Sequence, residues 1–333
     1  MKSLFLSSLL ALGLLAVPAQ AAEYPAKPIT LMTAFNAGGG SDVSHRLLEK
    51  FAKGVFDQPI VVTYKAGAGG EIGWTWLVGA KADGYTIGGV DLPHIVLQPM
   101  LRPEGQPGYK TEQLSPLCGL VYDADVVMVP EDGPYKTFKD LIEYAKDNPG
   151  KVKVATVGKL TGDHLFLMQI EKLTGAKFTQ VPYSGSGKAI PALLSGEVDA
   201  YFGSGSSFLR MEKTRGLAIG SKERYELCPD VPTFIEQGYA IESGKYRGLA
   251  TPQNIPAEAR QYLETKFAEL CANPEYQKAV KSSGLMPQFQ TGKAFGEIIR
   301  TEGEQAKKIL EPTVSSSRFR GRGKPLPPLM LHQ

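Results

Sequence analysis

The chain predicts an α/β protein of two domains, each built on a largely parallel sheet, and three observations carry that expectation. From Ile29 onward, short runs of β-formers alternate with stretches whose apolar residues recur at helical intervals, the pattern of strands joined by crossover helices. The alternation starts afresh after the run Val121 to Val129, and the stretch from Ala257 to Leu310 is helical in pattern. At 333 residues the chain is long enough for two separate cores.

In the first domain strands are expected over Ile29 to Phe35, Ile60 to Tyr64 and Thr86 to Val90, with helices over Val43 to Lys53 and Glu71 to Lys81. Leu92 to Leu101 reads as a short helix, and Arg102 to Gln113, broken by Pro103, Gly105, Pro107 and Gly108, as a loop. Val121 to Val129, interrupted by Asp123 and Asp125, is the strand that crosses to the second domain. There Thr137 caps a helix that ends near Asp147, before Asn148-Pro149-Gly150. Strands at Val152 to Thr156, Phe178 to Val181, Val198 to Phe202 and Leu217 to Ile219 follow, with helices over His164 to Leu173 and Lys188 to Leu194 between them. A return near Tyr246 to Ala250 leaves helices Ala257 to Ala272, Glu275 to Ser282 and Lys293 to Leu310 to finish the first domain. Two crossings make a hinge; they divide the chain into 22–124 with 245–311, and 125–244.

The two ends fall outside this scheme. Lys2, the apolar run Leu4 to Val17 and Ala19-Gln20-Ala21 have the order of a secretory signal cleaved after Ala21, with an apolar part too short to span a bilayer. Pro312 to Gln333 holds Arg318, Arg320, Arg322 and Lys324, no acid, and Pro325-Leu326-Pro327-Pro328, the composition of an unstructured or expression-derived tail. The formal charge of +3 falls to −2 once those four cations and Lys2 are set aside, so the basic balance gives no case for nucleic acid as a partner. Cys118, Cys228 and Cys271 lie in the exported part, where two can pair; which two is open, and no metal-ligand spacing is present.

Two glycine-rich turns organise the first domain. Phe35-Asn36-Ala37-Gly38-Gly39-Gly40-Ser41-Asp42 joins the first strand to the first helix, with Ser41 or Asp42 as the expected cap, and Gly67-Ala68-Gly69-Gly70 joins the second strand to the second helix. Backbone N–H groups gathered at a helix N-terminus make a seat for a carboxylate or phosphate without Lys or Arg. In the second domain the turns at 156–164 and 183–187 lie at carboxyl ends of strands, where open α/β sheets place their ligands. Familiar catalytic patterns fail. Ser186-Gly187-Lys188 lacks the P-loop's first glycine, since Pro182 stands there, and Ala189 replaces the Ser/Thr; Ile72 breaks the dinucleotide fingerprint after Gly67 and Gly69. Neither HExxH nor GxSxG occurs. His164, right after its turn, is placed to bond a ligand or brace the loop, whereas His94 divides evenly between a site and a structural role. Asp42 and Asp199 read better as a helix cap and a loop brace than as an acid–base pair.

The turns, in this order, resemble the Bug family of periplasmic solute receptors, the extracytoplasmic component of tripartite tricarboxylate transporters. The matching residues are Tyr24-Pro25-x-Lys27-Pro28-Ile29, Phe35-x-x-Gly38-Gly39-x-Ser41-Asp42, Gly67-Ala68-Gly69-Gly70-x-Ile72-Gly73, Asp83-Gly84-Tyr85-Thr86, His164-Leu165, Val181-Pro182-Tyr183-x-Gly185, Gly196-Glu197-Val198-Asp199 and Pro229-Asp230-Val231-Pro232-Thr233. The resemblance implies a two-domain periplasmic binding protein of type II, a Venus flytrap with two interdomain crossings, that takes small carboxylates and needs no cofactor or metal. It implies that Phe35, Gly38, Gly39, Ser41, Asp42, Gly67, Ala68 and Gly69 hold one end of the ligand. Thr156, Gly158, Thr161, His164, Tyr183, Ser184 and Asp199 contribute from the second domain. The chain departs from the family where Asn36-Ala37 replaces a Pro-Pro and where Leu160, beside Lys159, replaces a glycine, so Asn36 and Lys159 are expected to set length and charge.

The function expected is therefore capture of a dicarboxylate by domain closure, as a monomer that hands its ligand to membrane transporter subunits. A receptor for an uncharged or amino-acid-like solute, a ligand sensor for a signalling kinase and a secreted hydrolase are the alternatives.

Overall fold

The computed structural model describes residues 23–101, 108–159 and 161–310. The signal sequence, the basic tail, residues 102–107 of the Arg102 to Gln113 loop and Leu160 lie outside the described residues.

The first domain opens with β1 (Ile29–Thr33), α1 (Gly40–Ala52), β2 (Ile60–Tyr64), α2 (Glu71–Val78), β3 (Thr86–Asp91) and α3 (His94–Leu101). β1 runs parallel to β2 on one side, pairing Ile29 with Ile60, and to β3 on the other, pairing Leu31 with Ile87. Successive β1 side chains face opposite layers. Ile29 and Leu31 therefore pack among Leu48, Leu263 and Phe267, while Met32 meets Trp74, Leu77 and Phe295.

β4 (Leu114–Pro130) is a single 17-residue strand that belongs to both halves of the molecule. Its first part pairs antiparallel with β9 (Gly244–Pro252), from Leu114 opposite Pro252 to Ala124 opposite Gly244. Its second part pairs with two strands of the other half. That half comprises α4 (Phe138–Asp147), β5 (Lys153–Val157), α5 (Gly162–Thr174), β6 (Thr179–Tyr183), α6 (Ser186–Leu194), β7 (Ala200–Ser204), α7 (Gly205–Phe208) and β8 (Thr214–Ile219). β9 then returns to lie between β3 and β4, and α8 (Ala257–Ala272), α9 (Pro274–Ser282), β10 (Met286–Thr291) and α10 (Gly292–Leu310) follow. The strand order is β2-β1-β3-β9-β4-β7-β5-β6, with β8 and β10 pairing alongside β4. Two adjacent strands thus carry the chain across, one outward and one back. This is the two-domain binding-protein fold with two crossings.

The second domain is also covered on both faces. Val127, Val129 and Phe202 pack with Phe138, Phe166 and Ile170, and Val126, Met128 and Tyr201 with Ala189 and Leu193. Thr137 caps α4 as expected: its hydroxyl accepts from Asp140 N–H at 3.1 Å, while Asp140 Oδ2 accepts from Thr137 N–H at 2.9 Å. Thr137→Ala is expected to lower stability by about 1 kcal/mol, read as a shift of the urea midpoint.

Several boundaries differ from the sequence expectation, each for a local reason. β1 stops at Thr33, and α1 begins at Gly40 with Gly39 in the cap position. Neither Ser41 nor Asp42 caps α1, because both already sit in its first turn. Asp42 instead accepts from Gly38 N–H at 2.8 Å and from the Tyr64 hydroxyl at 2.6 Å. β4 starts at Leu114, not Val121, because antiparallel pairing with β9 carries it through Pro116 and Gly119 with two register shifts. β10 and α7 carried no clear apolar period: Met286–Thr291 is partly exposed and α7 is a single turn rich in small residues. Cys118, Cys228 and Cys271 are all free and buried, so no pair forms among them here.

Candidate functional site

Helix N-termini from both domains meet in the cleft. From the first domain come Gly39, Gly40 and Ser41 at the start of α1; from the second come Ser184, Gly185, Ser186 and Gly187 at the start of α6. They line one cavity of about 80 Å³, together with Phe35, Asn36 and Ala37. The first amides of any helix have no acceptor within it. In α1 the first intrahelical bond runs from Val43 N–H to Gly39 O, leaving the amides of Gly40 and Ser41 unused by the helix; in α6 it runs from Lys188 N–H to Gly185 O. Both helix ends carry partial positive charge toward the same space.

A second cavity of about 120 Å³ adjoins the first and shares Phe35, Asn36, Val157 and Ser184 with it. Its first-domain wall is the second glycine turn, Ala66 to Gly70, and its second-domain wall is Gly158, Thr161 and Tyr183. The turn needs its glycines. Gly69 has φ +67°, and a Cβ there would run into the Gln98 carboxamide. At Gly40 a Cβ would lie 2.8 Å from the Arg247 guanidinium carbon.

A buried ion network forms the floor. Lys245 and Arg247 project from the same face of β9. Arg247 Nη1 donates to Asp123 at 2.9 Å, and its Nε lies 3.3 Å from Asp91. Lys245 pairs with Asp125 and, at 2.8 Å, with Asp163 at the start of α5. Ser41 donates to Asp91, and Ser206 N–H donates to Asp123 at 2.9 Å. Burial disfavours charge on Lys245, but Asp125 and Asp163 outweigh it and hold its pKa up. Burial raises Asp91 and Asp125 despite the cations beside them. Two cations facing four carboxylates leave no free positive charge in the floor, so any anion in the cleft must be met by neutral donors.

His94 is one such donor. Burial, and then Lys245 and Arg247, push its pKa well below the usual imidazole range, so the ring is neutral. Its Nε2 accepts from Gly162 N–H at 3.3 Å, which assigns the proton to Nδ1, and Nδ1 has no partner among the described residues. The ring lines the first cavity and meets Phe35 edge-on at 5.5 Å.

Of the expected site residues, Phe35, Asn36, Gly39, Ser41, Gly67, Ala68, Gly69, Gly158, Thr161, Tyr183 and Ser184 line the two cavities. Six do not. Gly38 and Asp42 are bound to each other at the outer side of the turn. Asp199 is displaced furthest, because it precedes β7 and accepts from Lys153 N–H at 2.7 Å, at the amino ends of the strands and away from the cleft. Thr156 is turned inward, donating to Gly158 O and accepting from Gln180. Lys159 approaches Gly69 with its backbone carbonyl, and half-buried His164 sits outside both linings. Sequence reasoning missed Lys245 and Arg247, whose alternation on one strand was a signal; it placed the 183–187 turn at the cleft but did not single out Gly185, Ser186 and Gly187 within it.

The fold is that of a two-domain solute-binding protein. The family described as tripartite tricarboxylate transporter family receptor matches residues 45–313, and the chain belongs to it. That family consists of periplasmic receptors for small carboxylates that work with transporter components, not of enzymes. The Bug resemblance holds: the chain is 34% identical over 287 residues to Protein BugT of Bordetella pertussis, covering 83% of this chain and 86% of that protein. The solved periplasmic binding protein BugD matches with a TM-score of 0.78 at 26% identity, over 86% of this chain and 98% of that one. An R. palustris protein solved with adipate has the same fold, with a TM-score of 0.81 at 23% identity over 86% and 97% of the two chains.

Proposed function

We propose that this receptor captures a small dicarboxylate, with one carboxylate seated between the N-termini of α1 and α6 and the other toward the second glycine turn. The observation that carries this reading is that helix ends from opposite domains line one cavity whose floor cations are already neutralised. An anion there gains from backbone amides and from His94 Nδ1–H, and needs no ion pair of its own. Phe35, Asn36, Gly39, Ser41, Gly67, Ala68, Gly69, Gly158, Thr161, Tyr183 and Ser184 form the ligand-binding set, with Gly185, Ser186, Gly187 and His94 added to it.

Because each lobe supplies half of the donors, the ligand binds the closed form more tightly than the open one and shifts the population toward it. A membrane transporter subunit reads the closed form, and the hinge lies where β4 and β9 cross, giving domains 22–124 with 245–311 and 125–244. The leader Met1 to Ala21 is cleaved on export to the periplasm.

Thermal shift and calorimetry with malate, adipate, their monomethyl esters and the matching diamides test the reading. A dicarboxylate at a hundredfold excess over its dissociation constant is expected to stabilise the protein by roughly 2.7 kcal/mol. The monoester should bind more weakly and the diamide not at all. Tight binding of a diamide or an amino acid, with no response to any dicarboxylate, would overturn it.

A further inference from the structure

A cavity larger than those of the cleft lies on the other side of the hinge. A space of about 720 Å³ lies behind the hinge, between β4, β9, α5 and α10. It stands back to back with the cleft across the crossing strands. On β9, Lys245 and Arg247 face the cleft while Gly244 and Tyr246 face this cavity; on β4, Asp123 faces the ion network and Tyr122 the cavity.

Its chemistry is the reverse of the cleft's. Tyr122 and Tyr246 present two rings with centroids 4.8 Å apart, and Tyr239 lines the wall contributed by the second domain. Glu302 on α10 and Glu242 before β9 add two carboxylates, and the lining contains no lysine, arginine or histidine. Glu242 has an exposed partner, Lys222, at 3.8 Å. Glu302 has no ion pair or hydrogen bond among the described residues, and burial followed by the nearby Asp125 raises its pKa to about 7. The Tyr122 hydroxyl, packed against Gly244, has no hydrogen-bond partner either. Aromatic faces and an unpaired carboxylate around one half-open space are the groups that hold an organic cation. The volume lies in the range of small-molecule sites.

We propose that this hinge-side cavity is a second binding site, for a small organic cation with an ammonium or guanidinium head, held by Glu302 and the Tyr122–Tyr246 pair. The site is independent of the carboxylate cleft in its residues, and it touches both domains and both crossing strands. Two sources supply such a head: a free solute, or the basic run Arg318 to Lys324 of this same chain, which begins shortly after α10, whose Ile309 lines the cavity.

Calorimetric titration of the full chain with choline and with methylguanidinium tests the proposal, with a dicarboxylate titrated in parallel. Saturable binding of at least one cation is expected. It should weaken about tenfold or more in Glu302→Gln and vanish in Gln305→Arg, which carries its own guanidinium into the cavity from an exposed helix position. Dicarboxylate affinity should stay within about twofold in both variants, which separates failure of this site from failure of the cleft. In the full chain carrying Arg318→Gln, Arg320→Gln, Arg322→Gln and Lys324→Gln, cation binding that tightens about tenfold would assign the site to the chain's own basic run. Unchanged affinity would assign it to a free solute. Absence of saturation for both probes in both backgrounds, or affinity indifferent to Glu302→Gln and Gln305→Arg, would overturn the proposal.

Discussion

Arg247→Met is expected to destabilise the protein by about 3–5 kcal/mol. The guanidinium is buried and touches two buried carboxylates: Asp91, at the end of β3, and Asp123, inside β4. Removing it leaves both without their cation, and stranding buried charge weighs more than the pair itself contributes. For a chain of this size the loss corresponds to a fall in the thermal midpoint of roughly 6–20 °C. The pH dependence has a defined sign. Burial already raises the Asp91 pKa in the folded protein, and loss of Arg247 raises it further. A carboxyl whose folded pKa exceeds its unfolded value favours the folded state below the unfolded pKa and loses that contribution as pH climbs through the folded one. The deficit of the variant against the wild type should therefore be largest near pH 7 and shrink toward pH 4. Adding Asp91→Asn and Asp123→Asn to Arg247→Met should restore most of the stability and remove the pH dependence. A triple variant as unstable as the single one would show that the guanidinium matters through its packing and not its charge.

The same network shows why the sequence announced the fold but only part of the site. Alternation of β-formers and helical runs located eight of the ten strands to within a few residues, because each strand's burial is written in its own side chains, as in Ile29, Leu31 and Met32. The glycine turns were legible for a similar reason: a backbone that must pass close to Arg247 or Gln98 has no choice but glycine. Lys245 and Arg247 were not, because what defines them is pairing with Asp91, Asp123, Asp125 and Asp163, residues brought close only by the crossing of β4 and β9. Asp42 and Asp199 were read both as ligand contacts and as braces, and their carboxylates bond backbone N–H groups of the protein, Asp42 that of Gly38 in its own turn and Asp199 that of Lys153 on the neighbouring strand. His94 divided evenly on sequence; in the fold its Nε2 accepts from Gly162 N–H and its Nδ1 has no partner among the described residues, which only the packing of α3 against α5 reveals.

Gly187→Asp should abolish most dicarboxylate binding while leaving the fold intact or slightly firmer. A Cβ at Gly187 meets nothing within 4 Å, and its backbone is outside the left-handed region, so the side chain enters open space. As the second residue of α6, an aspartate there complements the helix end and favours folding. The same charge lies in the wall of the first cavity, facing the position proposed for a ligand carboxylate. Two like charges about 5 Å apart repel by roughly 3 kcal/mol at the effective dielectric of a protein surface, a loss of about a hundredfold in affinity. Gly187→Asn is the control, since it fills the same volume without charge and should bind within a few fold of the wild type. The Asp-to-Asn ratio, measured by calorimetry with the tightest dicarboxylate, reports the charge alone, and raising the salt should narrow it. Equal affinities for the two variants would mean that no carboxylate sits at the start of α6, and the ligand would then have to be placed wholly against the second glycine turn.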